Sequence, residues 1–419
     1  MKDEIGNKKI SRIAHYFRDV DSSTDSCPEF MPDYFSTSCY VGEGYWPARF
    51  LLRVAIRFHH VWATFGIREG SETIHGEQPA VCLSDFNLAD LIAVRDGLSA
   101  SNEHVTQYAI TFPTRSAELA GAEQVIRGGD LRAFLQQESA PRFVTEDEVI
   151  RKTFRYIEDQ LNLFEGQPSH PEWRWPYTGN YRRAVAKIEA EGFEGNSIPG
   201  LDFAQEKWSG IGVIVSTQAD ALRLQYDILS LIDQGLVSQS HFDHLLVCDR
   251  LPASLSGLTE AEISAAVSTA SFDFKSCMVI SDEAAAAALK DFSGRVLNLE
   301  QSTSKSRLRE SGGCWVYFED NTHPYVRALL SAGRVVVNKL GRYLGKLVEL
   351  DRHRDLRERE NIVKVLCQQL QEEHGVVCSY YSVRNSWQPD DMPSYCGRPW
   401  SGLYRITDEQ DDAGEDDEG

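Results

Sequence analysis

The stretch 211-IGVIVSTQADALRLQYDILSLIDQG-235 reads as a strand that runs straight into a helix. IGVIVST is a short, unbroken apolar and β-branched run, the pattern of a buried strand. The segment from Gln218 onward has helical character, and Gly235 stops it. Outward from here the alternation repeats. A strand is expected at 244-HLLVCD-249, a helix at 258–270, a strand at 277-CMVIS-281 and an alanine-rich helix at 282-DEAAAAALKDF-292. Strands at 295-RVLNL-299 and 314-CWVYFE-319, helices at 324–332 and 356–374, and a strand within 375-GVVCSYYSVRNS-386 complete the series. That rhythm predicts an α/β fold, a Rossmann-like parallel sheet with crossover helices.

Upstream the character changes. Gly and Pro cluster in 192-GFEGNSIPG-200, which places a domain boundary near 200. The chain has 419 residues, too many for one ordinary core. The expected organisation is 1–199, 200–407 and an acidic tail at 408–419. In the first domain, residues 1–45 are polar and punctuated, and 48-ARFLLRVAIRFHHVWATFGI-67 has apolar residues at helical spacing. Arg49, Arg53 and Arg57 line one stripe of that helix. A buried strand at 79-PAVCLSDF-86 precedes a helix at 87–98 with Asn87 as its cap. The segment 107-QYAITFP-113 reads as a strand closed by proline. Residues 145–164 open with the capping-box pair Thr145 and Glu148 and continue as an amphipathic helix. The first domain is therefore expected to be α+β.

Hydrophobic residues make up 42% and charged residues 25%, the mix of a globular protein. No run of about 18 apolar residues occurs, so no membrane span is expected. MKDEIGNKKISRIAHYF lacks a signal core, so the expected location is the cytoplasm. Nine cysteines, an odd number with no CxxC pair, argue against a disulfide framework and a structural zinc site; buried, inert thiols are the plain reading. The net charge is −20, and the tail 408-DEQDDAGEDDEG-419 carries eight acids and no base. Such a run is read as a solvated segment, with mimicry of nucleic acid or capture of a basic partner as alternatives. In a chain this acidic, nucleic-acid binding has to use a local basic patch.

The second half has no GxGxxG and no GxxxxGK[ST] loop. Ser216, Thr217, Asp249, Ser281, Asp282, Glu319 and Asp320 are expected at the carboxyl ends of strands, where parallel sheets bind ligands. Asp249, Asp282 and Asp320 could form a metal site, although no spacing among them is specific, and Asp282 and Asn321 equally suit caps or turns. No metal ligands are assigned.

In the first half His59 and His60 read as core histidines. His75 sits in the polar loop SETIHGEQP, Ser84 and Asp85 end one strand, Tyr108 opens the next, and Glu172 lies in 169-SHPEWRW-175. One chemistry uses such a set: transfer of ADP-ribose from NAD. Departure of nicotinamide leaves an oxocarbenium-like ribose, which a carboxylate stabilises. An arginine holds the pyrophosphate, a hydroxyl orients the ribose, and aromatic rings exclude water. Glu172, Arg53 (with Arg49 in reserve), Ser84, Tyr108, Trp173 and Trp175 could supply these parts. The structural alternative makes Ser84 a helix cap, Arg53 a surface ion-pair partner and Glu172–Arg174 a rim salt bridge.

Three stretches carry a resemblance. The segment 48-ARFLLRVAIRFHHVWATFGIREGSETIHGEQPAVCLSDFNL-88, the strand 107-QYAITFP-113 and 169-SHPEWRW-175 resemble the abortive-infection (AbiGi-like) group of bacterial phage-resistance proteins. The motifs stand here as 82-CLSDFNL-88, 108-YAITF-112 and 170-HPEWR-174. The group is similar to ADP-ribosyltransferase toxins of the Arg-Ser-Glu or His-Tyr-Glu type. Pro171 stands where a second acid would, Ala109 replaces a glycine after Tyr108, and none of the three stretches contains Ser-Thr-Ser. The resemblance implies an ADP-ribosyltransferase-like domain with Glu172 as electrostatic catalyst and Arg53 or Arg49 on the pyrophosphate. It also implies Ser84 and Tyr108 on ribose and nicotinamide, with His75 on the adenosine side.

The pieces 208-WSGIGVIVSTQADALRLQYDILSLIDQG-235, 242-FDHLLVCDRLP-252 and 375-GVVCSYYSVRNSWQPDDMPSYCG-397 resemble a bacterial domain of unknown function found beside such modules in defence loci. The expectation is a defence toxin that moves ADP-ribose from NAD onto nucleic acid or protein, restrained by an antitoxin or released by a phage trigger protein. A non-catalytic phage sensor, and a metal-dependent nuclease using Asp249, Asp282 and Asp320, are the alternatives.

Overall fold

The computed structural model describes residues 11–21, 45–65, 67–68, 71–72, 74, 78–124, 172–191 and 198–397. The helix expected at 145–164, His75 and the acidic tail lie outside these residues. The chain is of the α/β class, and it divides into two compact units. The first runs to Ala221 and resumes over Gln239–Phe272; the second takes Leu222–Ser238 and continues from Asp273. No described helix is long and apolar enough to cross a membrane.

The first unit is built on a seven-stranded mixed sheet. Its strands are β1 (Arg12–Tyr16), β7 (Ala80–Asp85), β8 (Ala109–Pro113), β9 (Glu123–Gln124), β10 (Glu172–Pro176), β12 (Ile211–Val215) and β13 (Phe242–Val247), in the order β13-β12-β8-β1-β7-β10-β9. Short ribbons join β2 (Val20–Asp21) to β3 (Tyr45–Trp46), β5 (Ile67–Arg68) to β6 (Ser71–Glu72), and β4 (His60–Trp62) to β11 (Gly200–Asp202). The helices are α1 (Ala48–Arg57), α2 (Leu88–Arg95), α3 (Thr114–Leu119), α4 (Tyr181–Glu191), the start of α5 (Gln218–Asp233) and α6 (Glu260–Ala270).

The boundary expected near 200 is not where the structure divides. β12 forms an antiparallel ladder with β8, pairing Gly212 with Thr111, Val213 with Ile110 and Ile214 with Ala109. β12 and β13 therefore complete the first unit's sheet. They are also its parallel pair, linked through α5 as the opening sequence predicts. Asn87 caps α2 by accepting from the Ala89 amide at 2.9 Å, so Ser84 is not needed there. Tyr16, Ala109, Ile214 and Leu246 pack on one sheet face with Leu91 and Ile92 of α2 and Ala270 of α6. On α1 the helical pattern expected to reach 67 stops at Arg57: His59 has φ 47° and β4 follows.

The second unit corrects the expected parallel sheet. Its strands are β14 (Gly312–Phe318), β15 (Val335–Val337), β16 (Tyr343–Gly345), β17 (Cys378–Arg384) and β18 (Tyr395–Cys396), in the order β15-β16-β14-β17-β18, and every pairing is antiparallel. Two expected strands are absent from the described residues at their positions. Ser276–Met278 is a 3-10 turn, and 295–299 belongs to α7 (Asp282–Ser302). Ala285, Ala288, Phe292 and Val296 are buried at spacings of three and four, so helical burial overrides the β-branched look of RVLNL. Helices α8 (Pro324–Ser331) and α9 (Leu356–His374) match their expected spans closely. The core gathers Phe292 and Val296 from α7, all of β14 from Cys314 to Phe318, and Ile362, Val363, Leu366 and Leu370 from α9.

Candidate functional site

β10 lies antiparallel to β7, and the register sets Glu172 opposite Ser84 and Arg174 opposite Cys82. Residues opposed in this way project from the same sheet face with Cβ atoms about 4.5–5.5 Å apart. On the far side of β7, Ala14 of β1 opposes Ser84, and Thr111 of β8 opposes Ala14. A small side chain therefore flanks the Ser84 hydroxyl. Ser84 is buried, while the Glu172 side chain keeps 20% of its surface exposed.

Arg174 shares the face of Glu172 because strand side chains alternate. Its Nε and Nη2 both stand 2.8 Å from Glu172 Oε1, and the guanidinium is 1% exposed. The pair is thus anchored in the interior at its cationic end and is not the rim salt bridge weighed from sequence. Among the described residues Oε2 has no hydrogen-bond partner.

The same alternation moves the two tryptophans away. Trp173 Nε1 donates to Asp85 Oδ1 at 2.8 Å, and Trp175 Nε1 donates to the Ala120 carbonyl at 3.1 Å. They occupy the face opposite Glu172, so they do not form the aromatic seat expected around that acid.

Tyr108 is also separated from Ser84 and Glu172. It directly precedes β8, and β1 lies between β8 and β7. Its hydroxyl donates to Asp220 Oδ2 at 3.2 Å, and the same oxygen accepts from the Thr217 amide at 3.1 Å and the Thr217 hydroxyl at 2.7 Å. Burial, then the Asp220 carboxylate, raises the Tyr108 hydroxyl far above its ordinary pKa. The Arg49 cation opposes that shift slightly. Arg49 is exposed on α1. Arg53, one turn on, is 2% exposed, so the pyrophosphate role expected of it lacks an open surface. The predicted set therefore does not come together whole: Ser84 lies with Glu172, while Tyr108 lies with Asp220 near the carboxyl end of β12.

One residue of this sheet escaped the sequence reading. His15 sits in β1, and its Nδ1 donates to the Cys82 carbonyl at 2.8 Å. Burial holds its ring below the usual histidine pKa, which favours the neutral form. The signal is the alternation in RIAHYF, inside the polar, punctuated stretch 1–45.

The expected strand-end acids each serve a local role. Asp249 follows β13 in a 3-10 turn, and its amide donates to the Ser216 carbonyl at 3.1 Å. Ser281 caps α7, and Asp282 is exposed in its first turn. Asp320 Oδ1 closes a turn by accepting from the Thr322 amide and hydroxyl at 2.8 and 2.7 Å. Among the described residues no group of three or more His, Cys, Asp or Glu could hold a metal ion. The seven described cysteines are free thiols.

Residues 280–401, within the second unit, match the family described as protein of unknown function (DUF4427). No curated protein and no solved structure matches the chain.

Proposed function

We propose that the first unit cleaves the nicotinamide–ribose bond of NAD and passes ADP-ribose to a macromolecule, with nucleic acid ahead of protein as acceptor. The observation that supports this reading is the β7–β10 register, which sets Ser84 opposite Glu172 on one sheet face. In this scheme nicotinamide leaves with the bonding pair of its C–N bond. Glu172 faces the positive ribose, and the acceptor's lone pair closes on C1′ while its proton is released. Arg174 holds Oε1, so the carboxylate keeps one orientation and Oε2 is left to accept from a ribose hydroxyl. Ser84 orients that ribose. Arg49, the exposed arginine of α1, takes the role first given to Arg53. The setting proposed is the bacterial cytoplasm, as a phage-defence toxin restrained by an antitoxin or released by a phage protein.

The test is incubation with labelled NAD and cell extract, followed by nuclease or protease digestion to identify the labelled acceptor. Glu172→Gln is expected to lower nicotinamide release about 100-fold. Release equal to wild type would sink the reading. The competing reading is a non-catalytic phage sensor, favoured by the Arg174 contact, which occupies part of the carboxylate. If wild type and Glu172→Gln are equally harmless when expressed without neighbouring genes, and neither consumes NAD, the sensor reading stands.

A further inference from the structure

The second unit carries a row of cations laid over aromatic rings along α9, β17 and β18. The Arg357 guanidinium lies 3.2 Å from the Tyr395 ring centre, and Lys364 Nζ lies 4.9 Å from that of Tyr380. Arg359 and Arg352 lie 4.6 and 5.7 Å from the centre of Trp387. Arg357 and Lys364 are seven residues apart on α9, two turns along one helical stripe. Tyr395 opposes Ser382 on β17, two residues from Tyr380, so the two tyrosines lie close on neighbouring strands. Trp387 follows the end of β17 and is 43% exposed.

The acids near this row are already engaged. Glu360 is 2% exposed and accepts from the Ser382 hydroxyl at 2.5 Å and from Arg357 at 3.0 Å. Glu310 pairs with Arg357 at 3.3 Å. Asp390 accepts from the Lys339 amide, and Asp391 accepts from the Ser386 hydroxyl. Arg352, Arg357, Lys364 and Arg384 remain exposed. In a chain of net charge −20, such a row runs against the overall field. A charge-only surface for an acidic peptide has no use for Trp387, Tyr380 and Tyr395. An exposed tryptophan beside two half-buried tyrosines that lie under exposed cations suits a ligand with flat bases and regularly spaced phosphates.

We propose that this face of the second unit binds single-stranded nucleic acid, with bases stacking on Trp387 and on the cation-covered rings of Tyr395, under the Arg357 guanidinium, and Tyr380, under the Lys364 ammonium. Phosphates lie on Arg352, Lys364 and Arg384. The site is independent of Glu172 and of the NAD chemistry proposed for the first unit.

The test is fluorescence anisotropy of the full chain with a labelled uridylate dodecamer. Trp387→Ala is expected to weaken binding about tenfold. The paired change Arg352→Gln with Lys364→Gln is expected to do likewise and to flatten the salt dependence. With about three phosphates neutralised, raising salt from about 50 to about 200 mM should weaken the wild type about twentyfold. Glu172→Gln should bind as wild type. The proposal is overturned if the dodecamer does not bind at the lower salt, or if these variants, folded by circular dichroism, bind unchanged. It is also overturned if polyglutamate of matching length displaces the dodecamer as well as unlabelled uridylate does, because the face would then read charge alone. Should Trp387→Ala not fold, the exposed pair Arg352 and Lys364 decides the matter.

Discussion

Arg174 is the least replaceable side chain around Glu172. A guanidinium 1% exposed has lost its water, and its recorded carboxylate contact is to Glu172 Oε1. Removing one partner of a buried pair leaves the other uncompensated, whereas a neutral isostere keeps much of the geometry. Arg174→Ala should therefore cost about 3 kcal/mol in urea unfolding, and Glu172→Gln clearly less. The low end of the buried-pair range applies because Glu172 is partly exposed. Asp291 of the second unit gives a prediction in pH. Its partial burial raises the carboxyl pKa, but hydrogen bonds from Arg295, Tyr325 and His374 outweigh this and hold it at about 2. A depressed carboxyl stabilises the fold above its unfolded value, and that contribution is lost as pH falls toward the folded one. Stability should thus drop between about pH 4 and about pH 2, and Asp291→Asn should flatten that acid limb in a thermal-melt series.

Single elements were legible where local chemistry decides them. α9 was readable to the residue at both ends because Asp355 accepts from the Arg357 amide and Gly375 terminates the helix at φ 72°. A side chain at Gly375 would meet nothing within 4 Å, so Gly375→Ala isolates the backbone term. It should cost about 1 kcal/mol, measured by chemical denaturation. The strands expected at 277–281 and 295–299 failed for the opposite reason. Whether CMVIS or RVLNL becomes strand or helix depends on what covers it, and short apolar runs do not encode that. Phe292 and Val296 commit the second run to α7 by meeting the core at helical spacing. The candidate site was half legible. Glu172 and Arg174 were singled out, but 172–176 was not read as a strand, so the alternation that parts Trp173 and Trp175 from Glu172 went unused. The partner strand was not readable, because the β7–β10 pairing joins segments nearly ninety residues apart.

At the scale of the whole molecule, the boundary near 200 was misplaced because a Gly/Pro cluster is a local signal that carries no information on which strands pair. β12 and β13 cover the edge that β8 would otherwise expose. An uncovered strand edge invites pairing with other chains. A fragment ending at residue 199 is therefore expected to aggregate, whereas the full chain gives a single folded species, as size-exclusion chromatography would show. Burial of Ala109, Ile110 and Thr111 beneath their neighbours makes the same point from the core side.

The first unit resumes at Gln239 after the chain has supplied Leu222–Ser238 to the second, and α5 straddles that division. On a ribosome this has a temporal meaning. The opening 221 residues cannot close their sheet when they emerge, since β13 and α6 are still to be translated. Nascent chains of this protein must hold the exposed flank of β12 open until Phe272 has cleared the exit tunnel, so the usual rule that the leading unit matures before the next begins does not apply here.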